Sequence, residues 1–435
     1  MNKQIIFLSI FFSFFLVQLR AQEILTAEEA VKIALENNYE IRLAKNLLQI
    51  DEISVSPGLA GMLPQVSAVL QDDNGIRSLT QVRSDGEVNS LNNARNNSLD
   101  YGVALDWTVF DGFQMFARYK QLQEIQNLGE AELQVSVITT LGNVLVTYYD
   151  LVQQQQQLAV LDSTLAISRQ RVELAHNRFT IGKASKLEEL NARVDLNTDQ
   201  ALMLNQKESY ATTRIRLNEL LARDSKISFK VVDDIAVDAD LFLPKLETLL
   251  KENNPELLTQ VISQRIAELE LKQVKANRYP TLLASTGYNF SDSESSLGYT
   301  TNSSSHGLTY GFRVSLNIFD GFNQNRNEKI AKIQVENSNL AIKQQQNNLL
   351  SQLNSSYKTY QTNLDLIALE EKNEAIAREN LEITMDKYRI GTIPTIEFRT
   401  AQLNYINARL RHSDAIFQAK LSEISLKALS GSLPL

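Results

Sequence analysis

The residues able to do chemistry in this 435-residue chain are acids, amines and phenols; it has no cysteine and three histidines. Without cysteine there is no disulfide scaffold, no thiolate metal site and no thiol nucleophile. His176, His306 and His412 lack paired ligand spacing, so no metal centre is expected. No GxSxG, P-loop, HExxH or Gly-rich dinucleotide turn occurs, so the expectation is a protein that is not an enzyme and carries no cofactor. What remains is a set of charges around two glycines. Glu188, Lys183 and Lys186 flank Gly182, and Tyr388, Arg389 and Glu397 flank Gly391. Their chemistry is the making and breaking of ion pairs and hydrogen bonds. Left in solvent, each such pair is worth under about 1 kcal/mol, so their role depends on the elements that hold them.

Those elements come in two copies. Asn37, Asn38 and Glu40 recur as Asn253, Asn254 and Glu256, and Pro64 recurs as Pro280, at a spacing of 216. From Phe110-Asp111-Gly112-Phe113 and Phe319-Asp320-Gly321-Phe322 onward the spacing is 209. Tyr148 and Tyr357, Ile181-Gly182 and Ile390-Gly391, Glu188 and Glu397, and Ala192 and Ala401 all keep it. The difference falls between Pro64 and Asp111. Residues 22–230 form repeat one and residues 231–435 form repeat two. Residues 1–21 are expected to be a signal peptide, with Lys3 before an apolar stretch and Ala21 at the cut.

Each repeat has one internal order. A helix (26–62; 244–277 in repeat two) leads to a pair of strands (65–110; 281–319). A long helix (113–177; 322–388), a glycine turn and a shorter helix (185–223; 394–429) follow. Thr26 followed by Glu28 and Glu29 suits a helix N-terminus. Tyr101, Val103, Leu105, Trp107 and Val109 alternate with small or polar residues, as do Tyr310, Phe312, Val314, Leu316 and Ile318. That period of two marks a sheet between two different solvents. Trp107, Tyr101 and Tyr310 are placed to lie at a membrane interface. The polar stretches 72–100 and 291–308 are expected to be long exposed loops. The 65 residues from 113 to 177 contain no proline and carry a helical stripe; at 1.5 Å per residue they span roughly 98 Å. The linker 225–243, with Asp233-Asp234, is expected to have a structural role.

The net charge of −8 offers no electrostatic footprint for nucleic acid. Beyond the N-terminus no apolar run approaches the ~20 residues of a membrane helix, so any membrane part must be strands. Strands of about ten residues are long enough to cross an outer membrane, but four cannot close a barrel and several copies must pool them. Long hairpins likewise need neighbours to cover their stripes. The fold class expected is mainly α with a β-barrel part: two long helical hairpins plus four strands per chain.

The duplicated strand–long helix–glycine turn–short helix order, the Phe-Asp-Gly-Phe strand exits and the Tyr388-Arg389-Ile390-Gly391-Thr392 turn resemble the TolC family of outer-membrane efflux channels. The resemblance implies a homotrimer, with a twelve-stranded barrel in outer-membrane lipid and a twelve-helix conduit in the periplasm. It implies a passive exit duct of a tripartite efflux or type I secretion system, docked to a periplasmic adaptor (membrane fusion protein) and an inner-membrane pump. By that resemblance the adaptor docks at the tips, Phe179, Ile181, Gly182 and Lys183 with Ile390, Gly391 and Thr392. The periplasmic gate would use Tyr388 and Glu188. The family's gate arginine falls on Ile393 here, leaving Lys183, Lys186 or Arg389 as substitute donors. Of the family's two aspartate rings, one is kept as Glu397 and the other becomes Thr400. The alternative reading is a soluble periplasmic coiled-coil scaffold or adaptor, since adaptors also carry long helical hairpins.

Overall fold

The structure, a computed structural model, describes residues 23–296 and 300–433; the expected signal peptide lies outside them. In chain order the elements are β1 (Glu23–Leu25), α1 (Ala27–Asn37), α2 (Tyr39–Ser54), β2 (Gln65–Val82), β3 (Val88–Phe110), α3 (Gln114–Thr180) and α4 (Lys186–Leu220). Then come β4 (Phe229–Val231), α5 (Leu243–Asn253), α6 (Pro255–Ala276), β5 (Thr281–Ser295), β6 (Asn302–Ser315), α7 (Asn323–Ile390) and α8 (Thr395–Leu429). The duplication is exact in the short hairpin arms: α4 and α8 are both 35 residues long and begin 209 apart. The chain folds as two compact units.

One unit, residues 46–131 and 259–344, holds the sheet. Its four antiparallel strands run in the order β2-β3-β5-β6. The polar stretches expected as loops are mostly strand. β2 pairs with β3 from Gln65↔Asp106 to Val82↔Val88, and β5 with β6 from Thr281↔Ser315 to Glu294↔Asn302. Side-chain alternation reports which face is apolar, whereas a ladder needs only backbone groups, so the hairpins extend past the alternating segment. At the other end β6 stops at Ser315, short of the expected 319. Tyr101 stacks on Phe290 across β3 and β5 at 4.8 Å. The Trp107 indole donates to the Met62 carbonyl at 2.9 Å.

The Phe-Asp-Gly-Phe motif makes the same corner twice. Asp111 Oδ2 accepts the Met115 N–H at 2.8 Å, and Asp320 Oδ2 accepts the Gln324 N–H at 2.7 Å, each capping a long helix. Gly112 and Phe113 have φ of +72° and +68°; Gly321 and Phe322 have +69° and +63°. A side chain on Gly112 would fall on the Ala276 carbonyl oxygen. The flanking phenylalanines meet edge to face in both copies.

The other unit, residues 23–45, 132–258 and 345–433 of those described, holds the core. Ala30 and Ala34 of α1 pack with Leu141, Val144, Tyr148, Leu151 and Val152 of α3 and with Leu217 and Leu221. The parallel pair β1–β4 closes this cluster with Leu25, Phe229 and Val231. Repeat two builds its counterpart from Leu246 and Leu250 of α5, Leu349, Leu353 and Tyr360 of α7, and Leu426. Against expectation, α3 is apolar enough by composition to cross a membrane. Its apolar residues instead form this core, the ordinary fate of a central helix.

The single helix expected at 26–62 is two, broken at Asn38, and repeat two breaks at Asn254. Asn38 Oδ1 accepts the N–H groups of Glu40 and Ile41 at 2.8 and 3.2 Å, capping α2, while its Nδ2 donates to the Leu220 carbonyl at 2.8 Å. Asn254 caps α6 through the Leu257 N–H at 2.9 Å and donates to the Leu429 carbonyl at 2.9 Å. One buried amide thus satisfies orphan groups at the start of one helix and the end of another. Tyrosines work in parallel: Tyr148 donates to the Leu25 carbonyl at 3.0 Å and Tyr357 to the Leu241 carbonyl at 3.3 Å. Burial pushes the Tyr148 phenol up to about 12, keeping it a donor. The Thr26–Glu29 capping box forms in full.

Asn38→Ala strands two N–H groups and a carbonyl, at about 1–3 kcal/mol. The expected outcome is a lower melting temperature by circular dichroism, partly restored in Asn38→Asp, which keeps the acceptor. Parental melting of Asn38→Ala would contradict the capping account.

Candidate functional site

Both hairpins reverse through the same left-handed turn. Gly182 has φ +75° and Gly391 φ +86°. The Lys183 N–H reaches back to the Arg178 carbonyl at 2.8 Å, and Thr392 to the Lys387 carbonyl at 3.0 Å, closing the orphan carbonyls of α3 and α7. Ser185 caps α4 by accepting the Glu188 N–H; Pro394 precedes α8, whose first residue is Thr395. Ile181 and Ile390 stand 66% and 76% exposed at the two tips. Phe179 is exposed with the Lys186 ammonium 4.9 Å over its ring. Gly182 and Lys183 face open space, and the Thr392 hydroxyl donates to the Lys387 carbonyl at 3.0 Å.

Behind the tips, Tyr388 is buried and stacked on Phe398 at 5.1 Å. Its hydroxyl donates to Glu188 Oε1 at 3.3 Å, joining α7 to α4. Burial raises its pKa, so it remains a donor. Ile393, at the position of the resembled family's arginine, packs against the apolar cluster of Leu381, Tyr388 and Phe398.

The cation that serves Tyr388 and Glu188 is Arg178, which the sequence reading missed. Its guanidinium lies 4.7 Å over the Tyr388 ring, donates to the Tyr388 carbonyl at 2.5 Å and stands 3.6 Å from Glu188. None of the three substitute donors expected from sequence takes this place. Lys186 pairs with Glu189 at 2.6 Å, Arg389 pairs with exposed Asp386 at 3.6 Å, and Lys183 is exposed. Arg178 belongs to the last turn of α3, where a basic side chain suits the helix terminus; that was the available signal. Glu397 is apart from this cluster, exposed in a groove with Asn380, Thr384, Lys387, Thr400 and Asn404.

A second network, also missed, lies farther from the turns. Arg399 of α8 grips Asp199 of α4 with two bonds of 2.9 and 3.0 Å. Asp199 also accepts from Ser168 at 2.6 Å, and Gln402 donates to Ser168 at 3.0 Å. Arg171 of α3 bonds Asp195 at 2.5 Å and Thr395 at 3.1 Å. Arg399, Asp199, Ser168, Arg171 and Gln402 are all buried, so this ion pair works in low dielectric. Removing one partner of such a pair typically costs about 3–5 kcal/mol. The repeat hides it: Arg399 corresponds to Leu190 and Asp199 to Ala408. Nearer the turn, enclosed Glu189 collects Lys186, Arg193 at 2.5 Å and His176 at 3.3 Å.

This arrangement can hold two hairpins together or release them; among the described residues no group of His, Cys, Asp or Glu is placed to hold a metal ion. The profile of the family described as outer membrane efflux protein matches residues 30–223 and 246–432. Among solved structures, the outer-membrane channel OprN superposes with TM-score 0.77 at 16% identity, over 93% of this chain and 90% of that one. The CmeC outer membrane channel of Campylobacter jejuni gives 0.77 at 15%, over 93% and 85%. VceC, an outer membrane protein of Vibrio cholerae, gives 0.75 at 13%, over 93% and 96%. At these identities the likeness is one of fold. No curated protein matches the chain by sequence.

The Lys186 hydrogen bond holds the Glu189 carboxyl below the usual carboxylate range, against the opposing effect of burial; His176 and Arg193 add to the lowering. A folded pKa below the unfolded one means the contribution is complete above the unfolded value and is lost as pH falls through the folded one. Amide protection across residues 176–193 is therefore expected to hold from neutral pH down to about 4 and to drop below it. Glu189→Gln should show no such step; a step persisting in that variant would assign it elsewhere.

Proposed function

The chain belongs to the outer membrane efflux protein family, and we propose that three copies form a passive exit duct for a tripartite efflux or type I secretion system. The outer-membrane location, with the helical part in the periplasm, is the family's. The duct reading rests above all on the sheet, whose apolar side chains point away from the chain. Tyr310, Phe312 and Val314 of β6 are 83%, 78% and 59% exposed. Such a face suits hydrocarbon, and pooling the strands of three copies gives twelve, enough to enclose a lumen. A soluble scaffold would leave that face in water.

In this reading the protein does no chemistry. A pump supplies energy, a periplasmic adaptor docks on the tips, and the chain supplies a path. Ile181 and Ile390, apolar and exposed, are the anchors of docking. Tyr388, Glu188 and Arg178 close the entrance at rest, with Lys186 and Arg389 as outlying charges. Glu397, exposed beside α7, faces the throat, where three copies would attract cations.

Electron microscopy of the detergent-solubilised protein, with its mass, is expected to give threefold particles with a lumen. Soluble monomers would refute the duct. Ile181→Glu with Ile390→Glu is expected to abolish export while trimers still assemble, because neither side chain supports the fold. Normal export by that variant would remove the tips from docking. Gly391 is a poorer target: a Cβ there would lie 2.9 Å from Arg178 and disturb the closure as well.

A further inference from the structure

The two short helices α4 and α8 are equivalent in the repeat and identical in length, yet unequally covered. Thirteen residues of α8 are buried and only six of α4. The difference has a specific origin. α8 packs on α7 of its own hairpin and also along α3. Gln153 donates to Asp414 at 3.1 Å, Ser413 to Gln156 at 3.1 Å, Gln402 to Ser168 at 3.0 Å and Arg171 to Thr395 at 3.1 Å. α4 packs on α3 of its own hairpin, and its other flank is open.

Shifting this seam by the repeat spacing replaces α3 with α7 and α8 with α4. Gln153 with Asp414 becomes Thr362 with Asn205; Arg171 with Thr395 becomes Asn380 with Lys186. Gln153 and Arg171 are buried, whereas Thr362, Asn205, Asn380 and Lys186 are all exposed. Apolar residues are stranded with them: Leu190, Val194 and Leu204 on α4, Leu369, Ile376 and Ile383 on α7. The chain thus carries both halves of a second seam and joins neither along its length.

We infer that a second copy of this chain seats its α4 against α7 of the first, in the register of the α3–α8 seam shifted by 209 residues. The inference rests on the trimeric duct and supplies its joint. The occupant is a second copy because the missing half-seam is the chain's own sequence, in the register its duplicate already uses. The two seams differ in chemistry. Leu190 replaces Arg399 and Ala408 replaces Asp199, so the joint between copies is apolar where the joint within a chain is ion-paired.

The absence of cysteine makes the test direct. Thr362→Cys with Asn205→Cys, treated in outer membranes with a short thiol-specific cross-linker, is expected to give covalent dimers and trimers on denaturing gels. Each single variant should give none. Asn380→Cys with Lys186→Cys repeats the test near the tip, and Gln153→Cys with Asp414→Cys should link only within a chain. Native-mass trimers without intermolecular bands from either first pair would overturn the seam and leave the duct standing. Monomeric mass would overturn the duct and the seam with it.

Discussion

The two outer edges of the sheet set the terms for everything else. Among the described residues β2 is paired only with β3 and β6 only with β5, so each edge presents backbone N–H and C=O groups that need partners. Water can satisfy such groups and hydrocarbon cannot, at several kcal/mol for each one left bare. A chain of this family therefore cannot be finished alone. The β3–β5 pairing brings the hairpins of both repeats into one sheet and leaves the edges to be met from outside.

Duplication then sorts the interactions into two kinds. Bonds that close within a repeat are kept in both copies: Asn38 and Asn254, Tyr148 and Tyr357, Asp111 and Asp320, the two glycine turns. Bonds that join one repeat to the other have diverged. Arg399–Asp199 has no duplicate, and Arg178 over Tyr388 ties α3 to α7 through a pair that the repeat does not reproduce. The first kind builds a hairpin; the second distinguishes one hairpin's neighbours from the other's.

That division also explains what could be read in advance. The repeat, the long helices, the glycine turns and the alternating strands were legible because each leaves a periodic or self-similar trace. The helix break at Asn38 left none, since the helical stripe continues across it and only a distant carbonyl reveals the amide's second role. The polar ends of the strands were taken for loops because ladder bonds ignore side-chain polarity. Arg178 and Arg399 escaped because their partners lie 200 or more residues away, and Ile393 removed the motif position that would have drawn attention to the site. Lys186 and Arg389 looked equally suitable by spacing and spend their charges on neighbours along the same hairpin.

The constant spacing from the start of α3 to the end of α8 constrains how such a chain can change over generations. α3 and α7 begin 209 residues apart, as do α4 and α8, so the two hairpins end level. A single residue inserted into one arm would rotate every side chain beyond it by about 100° and lengthen that arm against its twin. Tolerated insertions and deletions are thereby steered into the strand hairpins, where the spacing changes from 216 to 209. Reach toward the rest of the machine is held fixed while the surface-facing end is free to drift.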